Sequence, residues 1–530
     1  AGHRLIAGHD RLSGAGRLNL RGWLDNALLC IVAGCLYCTT LSAQVSTAEL
    51  LDHPTTSWLT NGGNLYNQRY SPLTDINTDN VRELKGVWHI HLEGSGVGPP
   101  YSGEAQPIIH DGTIYIVTGA NDVFAVDIDT GHIRWRYRSN LDPAISTICC
   151  GWTSRGVALG DGKLYLGRLD SKLVALNLTD GTVAWEISAA RWQDGYTITG
   201  APLFVDGKVI TGFAGAEYGV RGMLRAFNAS DGAPLWTFHT IPAPGERGAE
   251  TWPADSDAWR RGGATVWHTP AVDPELGLLY FATGNPGPDF NGAVRAGDNL
   301  YSVSIVALNL EDGSYRWHFQ QVHHDIWDYD AANPVVLFDL NHEGKHRKAL
   351  AQAGKTGWVY ILDRTSGTPL LGIDEVPVPQ ERRQLTAATQ PQPVGDAFVP
   401  QAMEMPLYGY DFANQGKIFT PYFDRALPIK PSSFGAAVWA PSSYDPGSHT
   451  LFICAMDLIG LFVGGADDDA PVGQQYLGGQ FIYDNVRNGI FAAMDLRTNK
   501  LRWRQRWRDS CYSGSTATAG GPERRPLRCA

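Results

Sequence analysis

The chain has 530 residues, 43% of them hydrophobic and 18% charged, with a formal net charge of −11. This describes a globular chain too long for one ordinary core, and its acidity argues against nucleic acid as a partner, because phosphate binding needs a basic surface. Sixty glycines, 31 prolines and 17 tryptophans argue against helical bundles and for many strands joined by tight turns, and no segment reaches the roughly 18–20 apolar residues of a membrane span.

In chain order, the first feature is ALLCIVAGCLYC at residues 27–38, apolar but short, preceded by Arg17 and Arg21 and followed by LSAQ. That is the pattern of a secretory signal cleaved after Ala43. It assigns residues 1–43 to an upstream segment plus signal peptide, and residues 44–530 to a single mature domain. Cys30, Cys35 and Cys38 would leave with the signal, while Cys149, Cys150, Cys454, Cys511 and Cys529 would enter an oxidising compartment where disulfides persist. How Cys454, Cys511 and Cys529 pair is left open.

A repeat then runs through the chain. AVDIDTGHIRW starts at Ala125, ALNLTDGTVAW at Ala175, AFNASDGAPLW at Ala226, ALNLEDGSYRW at Ala307 and AMDLRTNKLRW at Ala493. Each has Ala first, Asp or Asn third, Gly or Asn seventh and Trp eleventh, giving Trp135, Trp185, Trp236, Trp317 and Trp503. Each follows a β run such as GTIYIVTG, and a partial copy, GWVYILDRTSG, starts at Gly357. The units read as strand, turn, strand, with the seventh residue supplying the positive φ of a tight turn and the Trp packing against the next unit. Spacings near 50 residues suit four-stranded propeller blades. The long gap between Trp317 and Trp503 must hold degenerate blades or loops. The predicted fold is an all-β propeller, in which residues distant in sequence meet over a central channel.

Within this frame STICCGWTSRG places Cys149 beside Cys150. The pair is either two independent buried thiols or a ring disulfide between neighbours, and the residues alone leave both open.

The chain resembles the quinoprotein alcohol dehydrogenases, eight-bladed propellers that use pyrroloquinoline quinone (PQQ) and a metal ion. The resemblance spans roughly residues 56–521, from WLTNGGNLYNQRYSPLTDINTDNV through the Trp repeats and the vicinal cysteines. It implies that Cys149 and Cys150 are bonded to each other and cover one face of the quinone. RGGATVWHTPAVD then supplies Trp267 for the other face, with Thr265 beside it, and His268 is structural. GFAGAEYGVRG offers Glu217 as metal ligand, FATGNPGPDF offers Asn285 as metal ligand, and HHDIWDYD offers Asp328 as catalytic base and ligand. Further cofactor contacts are implied at Glu104, Arg155, Thr199, the backbone of Gly215 and Ala216, and Lys355 in AGKTGWVYILDR. Ala214 stands where some relatives carry a hydroxyl, which removes one possible hydrogen bond to the cofactor.

The implied reaction is oxidation of an alcohol to an aldehyde or ketone. Asp328 takes the hydroxyl proton, with Glu217 as the family's alternative base; the metal acts as Lewis acid on the quinone, hydride passes to the cofactor, and Lys355 stabilises the developing charge. The family also implies a periplasmic location. The sequence contains no C-x-x-C-H, so covalent haem is not expected and electrons should leave to a separate soluble cytochrome c. After Asp328 the chain reads Tyr329 and Asp330. In the family an Asp at this second position marks the lanthanide-dependent branch, which favours a lanthanide over Ca2+, with Asp330 as an added ligand. The competing reading, a non-catalytic propeller scaffold of outer-membrane protein assembly, shares the Trp repeats but has no use for this residue set. Finally, SCYSGSTATAGG resembles the lead into a last blade, but PERRPLRCA follows it. The last blade is therefore expected to be incomplete, through truncation or a frame shift.

Overall fold

The repeated motif forms the last two strands of an antiparallel meander. In the first copy the strands are Ile108–His110, Thr113–Val117, Val123–Asp127 and Ile133–Tyr137, hydrogen-bonded in that order. Asp127 holds the turn: its Oδ1 accepts the N–H of Thr130 at 2.9 Å, and its carbonyl accepts Gly131 N–H at 2.9 Å. Gly131 has φ +71, a left-handed conformation that glycine adopts without penalty. A bulge between Ala125 and Val126 brings the strands into register, so that Tyr115, Ala125 and Trp135 face one another. The small alanine between two rings lets them pack, with centroids 5.8 Å apart.

The computed structural model describes residues 45–95, 101–405, 409, 413–465, 470–483 and 488–521. Among these the same four-stranded order recurs over residues 158–188, 203–239, 271–320 and 443–507. The only α-helix among the described residues is the five-residue Thr47–Leu51. The fold is thus the expected all-β, propeller type. The signal-peptide segment, Cys529 and the PERRPLRCA ending lie outside the described residues.

Consecutive sheets are joined at the tryptophans. The Trp135 indole donates to Leu178 O at 3.1 Å, Trp185 to Ala229 O at 3.1 Å and Trp317 to Arg364 O at 3.1 Å. Each ring lies on the turn glycine of the next sheet, and a methyl group on Gly181 would collide with Trp135. Trp88, which is not in a full motif, does the same, donating to Ile128 O at 3.0 Å over Gly131. Trp236 covers Gly313 in the same way, but its buried N–H has no partner.

The gap between Trp317 and Trp503 holds degenerate sheets, as expected. A three-stranded sheet comprises Val336–His342, Lys345–Ala353 and Val359–Asp363. The partial copy at Gly357 belongs to it: its Gly367 receives Trp317, but Leu371 stands where the motif's eleventh-place Trp would be. The next junction is made by hydrogen bonds instead. Asn499, at the seventh motif place with φ +53, donates to Val359 O at 3.1 Å and Val394 O at 3.3 Å. A second three-stranded sheet (Leu427–Ile429, Gly460–Val463, Gln480–Tyr483) takes strands from the long connection inside the last four-stranded sheet.

In such a meander the connection from second to third strand, and that from the fourth strand to the next sheet, emerge at the same end. Both kinds of loop carry the chemically interesting residues. Residues 149–155, 199, 265–267 and 328–330 lie in connections between sheets, while 215–217, 285 and 355 join second to third strands. The topology therefore gathers them at one end.

Candidate active site

The loops surround a cavity of about 370 Å³. Its lining includes Glu104, Cys149, Cys150, Arg155, Thr199, Gly215, Glu217, Thr265, Trp267, Asn285, Asp328, Asp330 and Lys355. Of the residues singled out from the sequence, only Ala216 is set back. Its carbonyl accepts Gly219 N–H at 3.0 Å inside the short turn Ala216–Tyr218, which holds Glu217 between two left-handed glycines, Gly215 at φ +119 and Gly219 at φ +68.

Cys149 and Cys150 are disulfide-bonded to each other, with their Cα atoms 3.8 Å apart, and form one wall. Cys454 and Cys511, whose pairing the sequence left open, form a second bridge. Trp267 forms another wall, with the His268 ring packed against it at 4.1 Å between centroids and tilted by 40°, and the Arg155 guanidinium 4.7 Å from its centroid. Burial, helped by Arg155 and Arg69, holds the His268 pKa well below the ordinary histidine value. It is a neutral packing residue, as the sequence suggested. Arg155 is fixed by Glu104 at 2.6 Å and donates to Thr199 Oγ1 at 2.9 Å, while Ser102 donates to the other Glu104 oxygen at 3.0 Å.

The acidic end is organised by Lys355. Its ammonium lies 2.9 Å from Asp328 Oδ1 and 2.8 Å from Asp330 Oδ2, and donates to the Asp328 carbonyl at 2.8 Å. Burial would lower the lysine pKa, but the two carboxylates outweigh it and hold it above the ordinary value. The other Asp330 oxygen accepts the N–H of Asn285 at 2.6 Å. Both oxygens of Asp330 are thus already engaged by donors. Asp328 sits at φ +59, a conformation that costs a non-glycine residue free energy and recurs at functional sites. Burial pushes its carboxyl well above the usual carboxylate range, opposed by Lys355 and reinforced by Asp330. Glu217 is raised by burial and by Asp330. Four carboxyl groups line the cavity around this one lysine: Glu217, Asp289, Asp328 and Asp330.

Several residues went unnoticed in the sequence. Asp289 lies in the stretch that pointed to Asn285, and an acid between prolines and an aromatic was a readable signal. Thr153 and Thr197 line the cavity with buried hydroxyls that have no partner, as does Arg155 Nε. Phe434, Trp439, Phe481, Tyr483 and Tyr512 complete an aromatic lining from segments outside the repeat, where no pattern marked them.

Unpartnered buried donors call for acceptors from a bound molecule, and flat walls of indole and disulfide suit a planar one. The cavity therefore fits a flat, oxygen-rich, anionic heterocycle such as PQQ. The carboxylate-rich end fits a hard cation, which takes oxygen ligands. Among the described residues no three His, Cys, Asp or Glu side chains converge closely enough to chelate an ion by themselves, so such a cation would also draw on the Asn285 amide and on oxygens of the bound molecule.

A family model described as the glucose/ethanol/alcohol dehydrogenase β-propeller domain, of the PQQ group, matches residues 58–475. The chain is 34% identical over 515 residues to quinoprotein alcohol dehydrogenase PedH of Pseudomonas putida, covering 93% of this chain and 82% of that protein. It is 39% identical over 422 residues to a quinohemoprotein alcohol dehydrogenase of Comamonas testosteroni, but spans 55% of that protein's length. The crystal structure of the quinohemoprotein alcohol dehydrogenase from Comamonas testosteroni superposes with a TM-score of 0.75 at 30% identity, over 89% of this chain and 70% of that one. A europium-containing methanol dehydrogenase gives 0.73 at 28% identity, over 90% and 82%.

Proposed function

Since the chain belongs to the PQQ-dependent alcohol dehydrogenase family, we propose that it oxidises an alcohol to an aldehyde or ketone in this cavity, with PQQ and one hard cation bound there. The observation that carries the reading is the convergence, in one cavity, of the Cys149–Cys150 bridge, Trp267, the Arg155–Glu104 pair and the Lys355–Asp328 pair. A non-catalytic scaffold of outer-membrane assembly has no need to bury four carboxyl groups and a lysine together.

When bound, PQQ would supply a two-electron acceptor for the hydride of the alcohol carbon, and the cation would supply Lewis acidity. Glu217 and Asn285, with Asp328 and Asp330, would hold the cation; Arg155, Thr199 and the neighbouring hydroxyls would meet the cofactor's carboxylates. Asp328 accepts the proton of the substrate hydroxyl. Lys355 serves this step by opposing the effect of burial on Asp328, favouring the ionised form that can accept a proton, and it offers a fixed positive charge where negative charge develops. The aromatic residues from Phe434 to Tyr512 keep bulk water from the reacting groups.

The proposal extends to an eight-bladed ring, which Trp88 docked on Gly131 supports by acting as the outer tryptophan of a preceding blade. It also includes a periplasmic domain over 44–530, no covalent haem and a soluble cytochrome c as acceptor. A lanthanide is preferred to Ca2+, because Asp330 adds a carboxylate whose attraction grows with ion charge. The test is reconstitution. Purified protein should oxidise alcohols with an artificial dye only when given both PQQ and a metal, and Asp328→Asn should lose turnover while still binding PQQ. Activity with NAD and no quinone would sink the reading.

A further inference from the structure

Asp289 is the carboxyl group in the cavity that the mechanism leaves unused. It is 3% exposed, and its Oδ1 has no hydrogen-bond partner. A buried carboxylate oxygen without a donor is costly, and native chains keep one only where something else meets it. Among the described residues no cation does so here. Lys355 is committed to Asp328 and Asp330. Arg295, buried nearby, donates to Pro288 O, Asn299 Oδ1 and Asp325 O rather than to Asp289. The Asp289 carboxyl instead meets the Asn285 side chain and feels Glu217 as its strongest charged neighbour. The loop that carries it is tied down on both sides, by Gly287 N–H to Gly262 O at 3.0 Å and Phe290 N–H to Leu477 O at 2.8 Å. The carboxyl group cannot readily swing out to water.

We propose that Asp289 belongs to the cation site, adding a fourth carboxylate beside Glu217 and Asn285 and biasing the site towards trivalent over divalent ions. This rests on the reading above that Glu217 and Asn285 hold a cation. Attraction to a carboxylate scales with ion charge, so the added group favours a trivalent ion half as much again as a divalent one of similar size. In the ion's absence the same group only adds repulsion.

The experiment is calorimetric titration of lanthanum(III) and, separately, calcium(II) into the full chain loaded with PQQ. It compares wild type, Asp289→Asn and Glu217→Gln, with the metal-free melting temperature of each. Asp289→Asn should weaken lanthanum by about tenfold or more, weaken calcium less, and raise the metal-free melting temperature. Asp289→Glu, which keeps the charge, should keep the lanthanum preference; if Asp289→Asn does not fold, Asp289→Ser takes its place. An unchanged ratio of lanthanum to calcium affinity in the neutral variant, while Glu217→Gln weakens both ions, would overturn the role of Asp289 and leave the site standing. If Glu217→Gln also left both affinities unchanged, the cation reading itself would fall.

Discussion

Replacing Lys355 with methionine keeps most of the side chain's volume and removes its charge. The ammonium lies 2.9 Å from one carboxylate and 2.8 Å from another, and Lys355 is 4% exposed. At an effective dielectric of about 20, each contact represents ~6 kcal/mol of attraction before desolvation is counted. Breaking a buried pair typically costs about 3–5 kcal/mol net, since the partner is left uncompensated. With an unfolding entropy of roughly 1 kcal/mol/K for a chain of this size, the metal-free protein should melt about 3–5 °C lower. A bound cation supplies part of the missing charge, so lanthanum should raise the melting temperature of Lys355→Met by more than it raises that of wild type. Turnover in the loaded variant should fall about 10²–10³-fold, the scale for losing one fixed charge at a reacting centre. Differential scanning calorimetry with and without metal reads the first two effects. A metal-free melting temperature within about 1 °C of wild type would refute the idea that Lys355 holds this acidic cluster together.

Three further outcomes test other parts of the structure. Gly207→Ala, at φ +68 with open space around the new methyl, should cost about 1–2 kcal/mol, whereas Gly181→Ala should cost a further ~1–3 kcal/mol because the methyl meets Trp135; equal losses by denaturant unfolding would count against the docking contact. Burial raises Asp325 to about 6 against the pull of N–H donors from Trp327 and Tyr329. Its folded pKa lies above its unfolded one, so its contribution to stability declines as pH rises from about 4 to about 6. The stability of Asp325→Asn relative to wild type should therefore improve across that window, and a pH-independent difference would contradict the assignment. Finally, PQQ-loaded wild type should be more active with lanthanum than with calcium, and Asp330→Ala should narrow that gap; equal or better activity with calcium in the wild type would reject the lanthanide preference.

The fold was legible because its joints are written in fixed-spacing residues. Ala125, Asp127, Gly131 and Trp135 each perform one local task that recurs in the first four copies, so these copies specify the sheets and their contacts. The junction at Asn499 was less legible, because the spacing marks Asn499 as the turn residue but does not show that hydrogen bonds from its side chain replace an indole. In the site, Glu217, Asn285 and Asp328 could be found because short motifs surround them, and the cysteine pair because the doublet is rare. The aromatic lining could not. Phe434, Trp439 and Tyr512 reach the cavity from irregular segments whose course is set by tertiary packing, and an aromatic residue outside a periodic pattern is indistinguishable from ordinary core. Asp289 escaped for a different reason: its significance lies in having no partner, which only three-dimensional packing reveals.

The turn glycines that receive the tryptophans join third to fourth strands, and so lie at the opposite end of each sheet from the loops that build the cavity. Selection can therefore act on the two ends separately. A lineage can lengthen, shorten or recolour the segments around Phe434 and Phe481, and so trade one alcohol for another, without touching the seams that hold neighbouring sheets together. Changes at the seams, by contrast, are visible to selection only through the amount of folded protein. Substrate preference in such a chain should thus drift quickly among close relatives while the tryptophan and glycine positions stay still.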